Sequence, residues 1–232
     1  MQRFYVNFSL LPDIEVTDGD IHHQLTRVLR MQVGESVILF SGDGSESEYE
    51  IRGITKKSIT LCLKKKNTPQ TEPTKQISLY QALPNKIEKL EYIIQKGVEV
   101  GISRFIFFRS DFSQKLILSD SKKQRFHIIA REALEQCGGL RMPEIIFEDS
   151  ISYNQYPSNI LNTVLDTTGI SKKLTEMPQN QEISLWVGPE GGWSENERNK
   201  MKENGFIFVR FGERIMRTET AGVVTAFSLI YQ

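Results

Sequence analysis

Over the first seventy residues the apolar positions alternate with polar ones, and beyond them the apolar spacing changes to threes and fours. Within residues 48–55, Tyr49 and Ile51 alternate with Glu48, Glu50 and Arg52; further on, Ile59, Leu61 and Leu63 alternate with Thr60, Cys62 and Lys64. A period of two predicts strands with one face turned to a core. Residues 33–40 carry Val33, Val37, Ile38, Leu39 and Phe40, and Ser41-Gly42-Asp43-Gly44 closes them with a strong turn signal. The opening residues, Met1-Gln2-Arg3-Phe4-Tyr5-Val6, also read as a strand, and one helical interruption falls near residues 22–29. Short strands separated by turns predict a small β-barrel over residues 1–70. The polar run Asn67-Thr68-Pro69-Gln70-Thr71-Glu72-Pro73-Thr74 holds two prolines and no periodicity, the mark of a domain linker.

A second domain is expected over residues 75–232. Residues 77–83 read as a strand, and Ile87, Leu90, Ile94 and Val98 form one helical stripe stopped by Gly101. Phe105-Ile106-Phe107-Phe108 is an unbroken apolar run, predicting a buried strand over 104–108. Phe126, Ile129, Ala130, Ala133, Leu134 and Cys137 mark the next helix, ended by Gly138-Gly139 and Pro143. Further strands are expected at 145–147, 163–165, 183–187 and 207–211, with a helix after Trp193 opened by a Ser194/Glu197 capping box. A last helix is expected over 220–231. Strands apolar on both faces, alternating with helices, predict an α/β layer with a mostly parallel sheet. Ligands of such sheets bind at the carboxyl ends of the strands.

Composition narrows the field only a little. The 232 residues are 39% hydrophobic and 25% charged, ordinary globular values. No apolar stretch approaches the roughly 20 residues that span a bilayer. Cys62 and Cys137 are too few for a disulfide framework and lack zinc-site spacing, so no metal is expected and a reducing cytoplasm is. Net charge is zero, so bulk electrostatics carry no nucleic-acid signal and any such surface must be local.

Three segments follow strands and carry glycine. They are Leu165-Asp166-Thr167-Thr168-Gly169, then Val187-Gly188-Pro189-Glu190-Gly191-Gly192-Trp193, then Phe211-Gly212-Glu213-Arg214-Ile215-Met216-Arg217-Thr218-Glu219-Thr220-Ala221. Glycine there lets backbone approach a ligand closely. Neither the lysine-bearing phosphate loop nor the dinucleotide glycine spacing is present. A generic turn is the better explanation of Gly188 to Gly192 taken alone; two glycine loops in succession, the second dense in Arg, Thr and Glu, make a site an equally good one.

The second and third loops together resemble the signature of the RsmE family, bacterial 16S ribosomal RNA methyltransferases that modify N3 of a uridine near the decoding centre. Arg3-Phe4-Tyr5, His22-His23 through Val28-Leu29-Arg30, Lys96 with Glu99 and Gly101, and Glu132 to Cys137 before Pro143 extend the likeness along nearly the whole chain. Three positions depart from the family pattern: Gly139-Leu140-Arg141 where an arginine comes sooner, Met216 for leucine, and Val100 for leucine. The resemblance implies a PUA-like RNA-binding barrel at 1–70 and a SPOUT-type domain with a trefoil knot at 75–232. It further implies a cytoplasmic homodimer that takes its methyl group from S-adenosylmethionine (SAM) and acts on the small ribosomal subunit.

Carried onto this sequence, the cofactor-binding residues are Leu165, Thr167, Gly188, Pro189, Gly191, Gly192, Phe211, Gly212, Ile215, Met216, Thr218 and Ala221. Arg217 is the candidate to orient the base or lower its N3 pKa; a salt bridge to Glu213 or Glu219 is its plain alternative. Glu190 and Glu219 are candidate proton acceptors or positioning groups, and helix-start roles fit them equally. Arg3, Arg27, Arg30, Lys96 and Arg141 are the candidate RNA contacts. Two other readings stay open on the residues: a non-catalytic RNA-binding assembly factor, and a SPOUT enzyme acting on another RNA site.

Overall fold

The structure is a computed structural model and describes residues 1–17, 19–153, 160–168, 172–173, 182–210 and 212–231, for residues 172–173 the backbone alone. Two compact units emerge: Met1–Glu72 with Leu134–Met142, and Pro73–Ala133 with Pro143–Gln232.

In the first unit, strands β1 (Arg3–Tyr5), β2 (Asp13–Thr17), β3 (Ser36–Phe40), β4 (Glu46–Ile54) and β5 (Ser58–Asn67) form one five-stranded sheet in the order β1-β3-β4-β5-β2. The sheet is mixed, because β1 runs parallel to β3 while the other pairs are antiparallel. Where a small β-barrel was expected, the ladders among the described residues run in the order given, with β1 and β2 at the two ends. The alternation works as read: Tyr49, Ile51, Ile59 and Leu61 turn into a core with Phe4, Val37, Leu39 and Leu25. Between β2 and β3 lie a short helix α1 (Asp20–His23) and a π-helical turn at Gln24–Val28, closed by the Leu29 N–H on the Gln24 carbonyl at 2.9 Å. Arg30 ends it at φ 53°, left-handed backbone that a non-glycine residue seldom adopts.

Within residues 75–232 one segment groups by its contacts with the first unit. Leu134–Met142 clusters with the first unit for identifiable reasons. Glu135 accepts the Tyr5 N–H at 2.9 Å, Arg3 donates to the Gly139 carbonyl at 3.1 Å, and Glu72 Oε1 accepts the N–H groups of Leu140 and Arg141. The Glu72 carboxylate thereby satisfies two backbone N–H groups just past Cys137.

The second unit is a seven-stranded sheet whose strands are β6 (Gln76–Ala82), β7 (Arg104–Phe108), β8 (Glu144–Glu148), β9 (Leu161–Leu165), β10 (Lys172–Lys173), β11 (Glu182–Val187) and β12 (Ile207–Arg210). Their order is β10-β12-β9-β11-β6-β7-β8, and every pair is parallel. Helix α2 (Ile87–Val100) buries Leu90, Ile94 and Val98 as its stripe predicts, packs along α5 (Thr218–Tyr231), and is closed by Gly101 at φ 94°. Helix α3 (Asp120–Cys137) starts a turn and a half ahead of its first apolar marker. Helix α4 (Glu195–Glu203) begins at the expected capping box. Beneath it Trp186, Trp193, Tyr153, Phe108, Met201 and Phe206 form an aromatic-rich core. Trp186 is stacked on Tyr80 with ring centroids 4.1 Å apart.

Candidate functional site at the carboxyl ends of the strands

Strand register brings the three glycine-bearing loops to one level. Leu165 lies opposite Val187 and Val209, and Val187 lies opposite Gln81, so the chain leaves β9, β11, β12 and β6 side by side. From β6 the sheet grows outward through β7 and β8, whereas β9 and β12 lie on the other side of β11. The loops therefore meet where strand order reverses, the position at which open parallel sheets bind ligands.

The loop after β11 is locked from within. Gly192, at φ 70°, donates its N–H to the Pro189 carbonyl at 2.9 Å, and Trp193 Nε1 donates to the Leu165 carbonyl at 3.0 Å. A Cβ on Gly188 would lie 3.3 Å from the Gly192 backbone, so any side chain there requires that backbone to give by a few tenths of an ångström. Thr218, the first residue of α5, donates its hydroxyl to the Gly188 carbonyl at 2.6 Å and accepts from Gln81 Nε2 at 2.9 Å. Gln81 is fully buried, and its Oε1 has no hydrogen-bond partner.

A charged bridge fastens α2 to the same two loops. Lys89 Nζ contacts Glu190 at 2.6 Å and Glu219 at 3.7 Å, and the Asn85 N–H reaches Glu190 at 3.2 Å. Burial works against the charged form of Glu190, but the hydrogen bonds from Lys89 and from backbone N–H groups outweigh it and hold the carboxyl below its ordinary value. Glu219 keeps one buried oxygen, Oε2, without a hydrogen-bond donor. Arg217 stands out from this bridge with its side chain 85% exposed, its nearest carboxylate being Glu219 at 4.0 Å; Glu213 pairs with Arg210 instead.

The loop after β9 is held by Asp166, whose carboxylate accepts the Thr168 N–H and hydroxyl at 3.0 Å and Arg198 Nε at 2.7 Å. Among its described residues the loop after β12 is open: Gly212, Glu213, Arg214 and Ile215 are exposed, and a Cβ on Gly212 would meet nothing within 4 Å.

Residues 70–230 match the model of an RNA methyltransferase domain, and residues 16–62 match that of an RNA methyltransferase PUA domain. The ribosomal RNA small subunit methyltransferase E of Buchnera aphidicola (Acyrthosiphon pisum) is 30% identical, over 98% of this chain and 92% of its own length. The chain belongs to the ribosomal RNA small subunit methyltransferase E family. The Bacillus subtilis member is 28% identical over 100% of this chain and 97% of its own. The crystal structure of the Neisseria gonorrhoeae member, bound to S-adenosyl methionine, superposes with a TM-score of 0.87 at 27% identity, covering 99% of this chain and 96% of that one.

Against this family background, the residues read from sequence fall into three groups. Gly188, Pro189, Gly191, Gly192, Thr218 and Ala221 gather around the second loop and the start of α5, with Gly212, Ile215 and Met216 on the third. Phe211 and Gly169 lie outside the described residues. Leu165 contributes a carbonyl already taken by Trp193, and Thr167 is exposed. In the first unit, Arg27 and Arg30 are exposed on the π-helical turn, and Arg141 packs its guanidinium against Gly44. Arg3 is ion-paired to Glu46 beneath the surface and lies over the Phe40 ring, while Lys96 is bonded to Glu99 at 2.8 Å. The structure adds Lys89 and Gln81 to the site. The signal for Gln81 is a polar residue at the carboxyl end of an otherwise apolar strand; Lys89 reads as one surface cation among several until α2 and α5 are packed together. Among the described residues no cluster of His, Cys, Asp and Glu suits a metal ion, and no helix is long and apolar enough to cross a membrane.

Proposed function

We propose that this protein methylates N3 of a uridine in 16S ribosomal RNA of the small subunit, near the decoding centre, with SAM as methyl donor. We include in that reading a homodimer in the cytoplasm and a SPOUT-type trefoil knot in the second unit. The observation that carries it is the meeting of three glycine-bearing loops at the strand-order switch, two of them fastened together by Thr218 on the Gly188 carbonyl. The names of the relatives and the SAM-bound Neisseria structure support the reading.

The residues suit an adenosine carrying a cationic sulfur. Gly188, Gly191, Gly192 and Gly212 expose backbone for close polar contact, and Ile215 and Met216 offer apolar surface to a ring. Gln81 Oε1, a buried acceptor without a hydrogen-bond partner, provides negative potential beside them. When bound, SAM supplies an electrophilic methyl group. The protein's part is to hold the base in line with it, to exclude water, and to make N3 lose its proton. The Arg217 guanidinium, not tied into a tight ion pair, is free to face the anion forming on the base, lowering its pKa. Glu219 is the better of the two carboxylates for taking the proton, because Lys89 lies 2.6 Å from Glu190 and only 3.7 Å from Glu219. Arg27 and Arg30, exposed on a π-helical turn, and Arg141 are the proposed RNA contacts of the first unit, where π-turns and left-handed residues often mark function. Arg3 and Lys96 stay in that set as partners held in place by Glu46 and Glu99.

The test is methyl transfer from labelled SAM to small subunits isolated from a strain lacking the enzyme. The expected product is 3-methyluridine in 16S RNA, located by mass mapping of nuclease fragments. Label appearing in another nucleoside, or SAM failing to bind in a calorimeter, rules the reading out.

A further inference from the structure

A ring nitrogen that pairs in a duplex can be methylated only when its base is out of the stack, and an extruded base needs a surface to rest on. Residues 109–119 follow β7 without helix or strand, yet they are pinned at several points. Arg109 donates to the Leu116 carbonyl at 2.9 Å, and the Ser110 N–H donates to Ser113 Oγ at 3.1 Å. The Asp111 N–H reaches Glu197 Oε1 at 3.2 Å, and the Asp111 carboxylate accepts the Ser194 hydroxyl. Glu197 is itself buried, receiving the Tyr153 hydroxyl at 2.9 Å and the Ser194 N–H at 2.9 Å. Backbone at Asp111 is thus anchored to the start of α4, directly behind the loop after β11.

The next residue, Phe112, is 51% exposed. It lies against that same loop: a Cβ on Gly191 would come within 3.1 Å of Phe112 Cβ and 3.6 to 3.7 Å of its ring. An aromatic ring half in water on an anchored segment forgoes part of the burial its area offers. The absence of a side chain at Gly191 lets Phe112 pack directly against the loop, and exposed Lys115 on the same segment offers positive charge to a phosphate. A phenyl face beside a lysine is the combination by which proteins hold unpaired nucleotides without reading their sequence. Trp193, on the same loop, is buried with its Nε1 bonded, so it cannot serve.

We propose that Phe112 is a stacking platform for an unpaired base of the RNA substrate at the mouth of the cofactor site. The RNA identity of the ligand rests on the proposed function. Phe112→Leu keeps apolar bulk and removes the π face. It is expected to leave SAM affinity within twofold while kcat/KM for unmethylated small subunits falls about 10-fold, inside the range that stacking one base supports. Phe112→Trp is expected to restore kcat/KM. Its emission should be quenched by a protein-free transcript of small-subunit RNA, against a constant background from buried Trp186 and Trp193. Unchanged kcat/KM in the leucine variant, or an unquenched indole, overturns the proposal. So does a leucine variant whose sedimentation shifts to a smaller species while its RNA parameters hold, which assigns the ring to a contact between subunits. Quenching in a preparation that transfers no methyl group upholds the base contact and overturns the enzymatic reading instead.

Discussion

The loops after β11 and β12 both carry glycine and both border the candidate cofactor site, yet they are built in opposite ways. Residues 188–193 are closed by the Gly192–Pro189 and Trp193–Leu165 bonds and by Thr218 on Gly188, so their shape exists before any ligand arrives. Residues 212–217 are mostly exposed. The difference separates two uses of glycine: at Gly188 it lets the protein pack against itself, and at Gly212 it leaves room for something else. A preformed loop reduces the ordering that binding must supply, and an open one gives a ligand its way in.

Substitutions that treat the two glycines alike are the sharpest way to break this comparison. Gly212→Val meets nothing within 4 Å, so its melting temperature should match the parent while SAM affinity drops by about 100-fold, roughly 2.7 kcal/mol, in a calorimetric titration. Retained affinity removes the third loop from the site. Arg217→Ala, on the same open loop, should leave SAM affinity and stability alone and lower kcat about 100-fold, as removal of one transition-state donor does. An unchanged kcat in single-turnover assays would return Arg217 to the solvated surface. Gly188→Ala should do the reverse of Gly212→Val. Its methyl would press on the Gly192 backbone, and stability should fall by about 2 kcal/mol in urea titrations, with SAM binding weakened only as a consequence.

The smallest effect concerns the Lys89 bridge. The Glu190 carboxyl is held below its ordinary value, so its contribution to stability is fully present above the ordinary glutamate range and is lost as pH falls through the lowered value. Glu190→Gln should therefore be less stable than the parent by about 1 kcal/mol or less near neutrality. Melting curves of the two proteins should converge in acid; a constant gap down to the most acidic point means that the ion pair is not what Glu190 contributes.

Legibility in the sequence followed the range of the interactions. Phe105-Ile106-Phe107-Phe108 and Ile183 to Val187 announced strands buried on both faces, and Ser194 with Glu197 announced the start of α4, because each signal lies within a few consecutive residues. β2 escaped notice: only Ile14 and Val16 are apolar in its five residues, and its identity as a strand comes from pairing with β5 about 45 residues away. The π-helical turn at Gln24–Val28 was read as plain helix, since a single i→i+5 closure leaves the apolar spacing almost unaltered. Leu134–Met142 lies beyond the linker by its place in the chain and groups with the first unit by hydrogen bonding of Glu72, Arg3 and Glu135.

The candidate site divides the same way. Gly188, Gly191, Gly192 and Gly212 were visible because glycine after an apolar strand is a local event with a local cause. Lys89, Gln81 and Phe112 were not, since each acquires its meaning only from a neighbour far along the chain: Glu190 and Glu219, Thr218, and Gly191 respectively. By itself the sequence determined most of the segments that form strands and helices, β2 excepted, and which turns open beyond them, because backbone preference and apolar period act over a handful of residues. Strand order, register and the ties across the site were decided only in the folded chain, where burial and hydrogen bonding choose partners by distance in space rather than along the sequence.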